Sequence, residues 1–63
     1  MNEEILTIIK ENSQSHKYEN NTATNISELV HVSRNEVATI LKTLVARHVL
    51  MKIEERPAYY IDK

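Results

Sequence analysis

The chain has no cysteine, no glycine and one proline, and its only aromatics are three tyrosines among 63 residues. Without cysteine there are no disulfide staples, no thiolate zinc site and no cysteine nucleophile, so the chain must hold itself together by packing. Without glycine there is no Gly-rich phosphate loop of the Walker or dinucleotide-binding kind. No apolar run approaches the ~20 residues of a membrane span, and Met1-Asn2-Glu3-Glu4 is acidic where a secretory leader would be basic. These shortages predict a soluble, cytoplasmic chain with no membrane partner. A chain this short buries only ~60% of its extended surface on folding. Its 41% of hydrophobic residues are therefore needed to close one core against the entropy of ordering the backbone, which excludes a second domain or an enclosed cavity with its own catalytic shell.

Charge is present but unevenly placed. The formal net charge is −1, yet in residues 1–32 Lys10 and Lys17 stand against Glu3, Glu4, Glu11, Glu19 and Glu28, which leaves −3. In residues 33–63, Arg34, Lys42, Arg47, Lys52, Arg56 and Lys63 stand against Glu36, Glu54, Glu55 and Asp62, which leaves +2. An anionic partner is expected to meet the second half.

Periodicity supplies the elements. Asn2 is placed to cap a first helix, Glu3 and Glu4 sit in its opening turn where the dipole favours negative charge, and Ile5, Ile8 and Ile9 share one face that Leu6 widens. That helix is expected to end near Ser13, with a polar connection over residues 12–21. Thr22 caps a short second helix from about Ala23 to Val30, whose buried side is Ile26, Leu29 and Val30. His31-Val32 forms a tight break. Ser33-Arg34-Asn35-Glu36 then reads as a capping box opening a third helix to about His48, with Val37, Ile40, Leu41 and Leu44 on one face and Asn35, Thr39, Lys42 and Ala46 on the other. Beyond it Val49, Met51 and Ile53 alternate with Leu50, Lys52 and Glu54, Glu55-Arg56-Pro57 interrupts, and Ala58-Tyr59-Tyr60-Ile61 resumes. This predicts a hairpin with the proline in its turn. Of the tandem tyrosines, Tyr59 is expected in the core and Tyr60 outside.

The order helix, helix, tight turn, helix, hairpin suits a function that uses one exposed helix face and an adjacent β-ribbon. A helix-turn-helix braces one helix so that the next can enter a major groove about 12 Å wide, and Ile26, Val30, Val32, Val37 and Ile40 occupy the bracing positions. Residues 22–61 resemble the winged helix-turn-helix of bacterial transcription regulators. More narrowly, Val32-Ser33-Arg34-Asn35-Glu36-Val37, Leu41-Lys42-Thr43-Leu44 and Lys52-Ile53-Glu54-Glu55-Arg56-Pro57-Ala58-Tyr59-Tyr60 resemble the N-terminal domain of the levanase-operon-type sigma-54-dependent activators. The chain departs from that pattern at His31, where such turns carry glycine or asparagine, at Ser27, where alanine is usual, and at Ala38-Thr39, where relatives often show Ser-Arg.

The resemblance implies an α+β fold, a small winged helix-turn-helix with three helices and a C-terminal wing. It also implies that residues 1–63 are the N-terminal part of a longer regulator. The expected partner is double-stranded DNA, with the recognition helix at about 34–48 in the major groove and the wing at 49–61 on the backbone. Homo-oligomerisation would run through parts of the protein outside this chain. Candidate contacts are Ser33, Arg34, Asn35, Thr39, Lys42, Thr43, Lys52 and Arg56. Asn35 is the best placed for base readout, and Lys42, Lys52 and Arg56 the best placed to anchor phosphates. Against this stands a plainer reading of each: Ser33 as a helix cap alone, and the rest as a solvated face.

Catalysis finds no foothold in the sequence. Glu54 and Glu55 are neighbours on an expected strand and would point to opposite faces, which prevents a paired acid and base. The serines lack His and Asp partners by pattern. His16, His31 and His48 have no metal-ligand spacing and read as surface or turn residues, so no metal or cofactor is expected. The rival function is a winged helix used as a protein–protein module, which the near-neutral charge and the small Ala38-Thr39-Ala46 surface would suit.

Overall fold

A computed structural model describes residues 2–62, the side chain of Asn2 excepted. Helix α1 spans Asn2–Gln14, a single 3₁₀ turn Tyr18–Asn20, helix α2 Ala23–Val30, helix α3 Arg34–Ala46, strand β1 Leu50–Ile53 and strand β2 Tyr59–Asp62. The strands form one antiparallel hairpin in which Leu50 faces Asp62, Met51 faces Ile61, Lys52 faces Tyr60 and Ile53 faces Tyr59. Three helices followed by a two-stranded C-terminal ribbon give the α+β layout of a small winged helix. The cap expected from the Asn2 side chain lies outside the described residues.

The other two helix starts follow their local chemistry. Thr22 is extended and its Oγ1 accepts from the Asn25 N–H at 3.2 Å; Ser33 is extended and its Oγ accepts from the Glu36 N–H at 3.2 Å. Each hydroxyl satisfies one of the orphan amides of a first turn. Of the two bonds in the box expected at α3, the structure forms the one from Glu36 N–H to Ser33.

The helix ends show how the chain manages without glycine. Among the described residues three have positive φ, His16 at 59°, His31 at 57° and His48 at 62°, and each follows a different helix. In each case the next residue folds back: Lys17 N–H donates to the Asn12 carbonyl at 2.8 Å, Val32 N–H to that of Ser27 at 3.2 Å, and Val49 N–H to that of Leu44 at 3.0 Å. This is the six-to-one bond of a Schellman ending, with histidine in the left-handed position that glycine usually fills. The third ending corrects the expected length of α3. Its helical residues stop at Ala46 and His48 already belongs to the turn, because the left-handed residue cannot continue the helix.

One core joins all the elements. Ile5 and Ile9 of α1, Ile26 of α2, Val37, Leu41 and Leu44 of α3, and Leu50 and Tyr60 of the hairpin are buried together. Leu6, Ile8, Val30, Val32 and Ile40 pack against them while partly exposed. The bracing set read from the sequence is therefore in this core or packed against it, from α2, α3 and the break between them. Leu29 does not: at 60% exposed it points away from the core face of a helix too short to bury a wider stripe.

The connection before α2 carries more structure than its polar composition suggests. Asn21 is fully buried, its Oδ1 accepts from Asn12 Nδ2 at 2.9 Å, and its carbonyl accepts from the Tyr60 N–H at 3.1 Å. The segment thus ties α1 to β2 through Asn21, with one bond to each.

The hairpin fixes which face of β1 is buried and overturns two expectations. Leu50 is buried while Val49 and Met51 are 38% and 43% exposed, since Val49 is spent in the turn that ends α3 and the strand starts with Leu50 facing inward. Tyr60, not Tyr59, joins the core. It shares the Leu50 face, whereas Tyr59 lies on the opposite face with its ring 6.2 Å from that of Tyr18. Glu54 and Glu55 lie beyond β1 in the connecting turn rather than on a strand. A shift of one residue in register moves every side chain of a strand to the other face.

Candidate nucleic-acid interface

Two shallow clefts run between α3 and the hairpin. The first, about 360 Å³, is bordered by the start of α2, by Arg34, Asn35 and Ala38 of α3, and by Lys52 and Tyr60 of the ribbon. The second, about 280 Å³, lies further along α3 between Ala38, Lys42 and Val45 on one side and Lys52 and Tyr60 on the other. Ala38, Lys52 and Tyr60 are common to both. No carboxylate among the described residues lines either, so Arg34, Lys42 and Lys52 border two adjoining clefts, with the acid Glu54 beside Lys52.

Local structure explains how each side chain comes there. Ser33 caps α3 and is exposed, which leaves Arg34 and Asn35 in the first turn, where N–H groups point outward and favour an anion. Ala38 is one turn on; its small side chain opens the space that a longer residue would fill. Lys42 follows after another turn. Lys52 sits opposite buried Tyr60 in the ribbon, so its stem leaves the sheet on the side of α3, and its Nζ is 3.4 Å from Glu54 Oε1. With the lysine and glutamate side chains 43% and 81% exposed, that pair is solvated and holds Lys52 loosely.

The eight residues expected from the sequence do not all converge. Arg34, Asn35 and Lys52 share the first cleft, and Lys42 and Lys52 share the second. Thr39 and Thr43 are exposed on α3 outside both, and their hydroxyls are turned back on the helix: Thr39 Oγ1 donates to the Asn35 carbonyl and Thr43 Oγ1 to that of Thr39, each at 3.0 Å. Their donor capacity is used inside the helix, although each oxygen can still accept. Arg56 lies on the other side of the ribbon, lining a cleft with Tyr18, Glu19, Glu55 and Tyr59. It keeps company with two carboxylates rather than with Arg34.

Sequence reasoning missed two features of this groove. Ala38 stood out as a departure from the regulator pattern and as part of a small surface, whereas it lines both clefts. The start of α2, with Ala23 and exposed Thr24, borders the first cleft, and the cap at Thr22 was the signal that could have pointed there. Among the described residues no group of His, Asp or Glu is placed to hold a metal ion, and no helix is long and apolar enough to cross a membrane.

No protein-family model, curated protein or solved structure matches the chain.

Proposed function

We propose that this domain binds double-stranded DNA as the reading head of a bacterial transcriptional regulator, acting in the cytoplasm. α3 enters the major groove and the hairpin lies along the adjacent backbone. The observation that carries this reading is the pair of adjoining clefts that Arg34, Lys42 and Lys52 border between the exposed side of α3 and the ribbon, with no carboxylate among their described lining residues. A helix about 10–12 Å across fits a groove about 12 Å wide. Cations on the walls to either side then meet phosphates and release condensed counterions. Asn35, near the amino end of α3, is the side chain best placed to donate to and accept from one adenine edge.

The narrower assignment, to the levanase-operon-type sigma-54-dependent activators, rests on the wing residues Arg56-Pro57-Ala58-Tyr59 and implies a longer protein that self-associates outside this chain. A protein–protein role for the same surface is the competing reading. It is favoured by the many small and uncharged residues, Asn35, Ala38, Thr39, Thr43 and Ala46, that α3 exposes beside Arg34, Glu36 and Lys42.

A salt series separates the two. Binding of a fused dimer of the domain to duplex DNA should weaken steeply as salt rises, and each of Arg34→Ala, Lys42→Ala and Lys52→Ala should lower the log–log slope by ~1. Salt-insensitive association with a protein ligand, and no retention of DNA at low salt, would transfer the surface to the competing reading.

A further inference from the structure

Leu29 is the most exposed of the large apolar side chains that α2 was expected to bury, and it stands at the junction of two clefts on the side of the molecule formed by α1 and α2. One, about 450 Å³, is lined by Glu3, Glu4, Thr7, Ile8, Leu29 and Val30; the other, about 330 Å³, joins Leu29 to Glu28. No lysine or arginine among the described residues lines either. Favourable placement in a first turn accounts for Glu3 and Glu4 as helix formers. It does not account for an exposed leucine set between them and Glu28, beside the partly buried Ile8 and Val30.

We propose that this surface docks a basic amphipathic helix supplied by another polypeptide. Its apolar anchors would seat on Leu29, Ile8 and Val30, and its lysines or arginines would meet Glu3, Glu4 and Glu28. The charge decides the partner's sign, and the apolar strip between two shallow clefts suits a helix laid across it with anchors at three-and-four spacing. A second folded copy cannot be the occupant in this way. Leu29 apart, the apolar stripes of its own three helices are turned into its core, and the same Leu29 surface on a second copy would set Glu3, Glu4 and Glu28 against like charges.

The test uses the folded 63-residue chain and a synthetic helical peptide with leucines at positions i, i+3 and i+7 flanked by lysines, beside a control with glutamate in place of each lysine. Amide shift mapping should show saturable changes confined to α1 and α2 around Glu4, Ile8 and Leu29 with the basic peptide and none with the acidic one. Leu29→Ala should weaken binding about tenfold while leaving the melting temperature unchanged, because the side chain is outside the core. Glu4→Lys with Glu28→Lys should abolish binding of the basic peptide and admit the acidic one. The proposal is overturned if both peptides bind alike, if Leu29→Ala binds as the parent does, or if the shifts fall on α3 and the hairpin. It is also overturned if the chain alone self-associates through Leu29.

Discussion

The surface that α3 shares with the hairpin and the surface that α1 shares with α2 rest on the same eight buried side chains, yet cations face one and carboxylates the other. On the first, Arg34, Lys42 and Lys52 border clefts with no carboxylate among their described lining residues; on the second, Glu3, Glu4 and Glu28 border clefts without a single described lysine or arginine. A net charge of −1 therefore says little about what either side attracts. The difference teaches that in so small a domain the sign of the local field, rather than the total, selects partners.

Removing what the two surfaces share is the most drastic way to break the contrast. Leu41 is fully buried in the core on which both rest, so Leu41→Ala should cost ~2–5 kcal/mol and abolish both surfaces together, read as collapse of the circular-dichroism melt. Leu44→Ala, also core, should behave alike, whereas Ile40→Ala, only partly buried, should cost less. If all three melted as the parent does, the apolar stripe of α3 would not be core.

Next in size are changes confined to the cationic side. Asn35→Ala should erase discrimination at one base pair, worth about 1–3 kcal/mol, in a selection experiment with a fused dimer. Lys42→Ala should instead lower affinity for every sequence and leave the selected motif unchanged. A motif that survives Asn35→Ala intact would remove that residue from base readout. Arg56 sharpens the boundary of the surface. Because it lies across the ribbon beside Glu19 and Glu55, Arg56→Ala should reduce the salt slope less than Lys52→Ala does; an equal loss would show that the hairpin tip turns toward the backbone in the complex.

The smallest effects belong to the acidic side and the turns. Replacing Glu3 and Glu4 by glutamine removes favourable charge from the first turn of α1 and should cost about 0.3–1 kcal/mol per residue at low salt, with DNA affinity at ~0.1 M salt unchanged because charges beyond about 10 Å are screened there. His31→Gly should raise stability by up to about 1 kcal/mol, the left-handed penalty of a β-carbon outweighing the freedom glycine gains in the unfolded chain. A lower melting temperature would mean that the imidazole makes contacts worth more than the strain.

Much of this architecture is legible in the sequence because it depends on short-range rules. Thr22 and Ser33 cap where capping chemistry places them, and the spacing of Val37, Leu41 and Leu44 specifies which side of α3 is buried. What the sequence hides depends on long-range registration. Tyr59 and Tyr60 are chemically identical, and only the pairing of Lys52 with Tyr60 decides which one enters the core. Asn21 reads as loop because the partners of its Oδ1 and its carbonyl lie nine and thirty-nine positions away, at Asn12 and Tyr60. Leu29 reads as core because hydrophobic spacing alone cannot tell a stripe that is used from one that is wider than its neighbours can cover. For the groove, the cationic residues are legible one by one, but the side of the ribbon that each occupies follows from register, which is why Arg56 parts company with Arg34.

The histidines after the three helices have a practical consequence for spectroscopy. Because every histidine of the chain closes a different helix, the three imidazole Hε1 lines of a one-dimensional proton spectrum form a separate channel for each helix end, without isotope labelling. On heating, simultaneous loss of all three dispersed lines would identify the domain as a single cooperative unit. Early collapse of the His16 line alone would show α1 detaching while the α2–α3 pair holds, a sub-global opening that a circular-dichroism melt would average away.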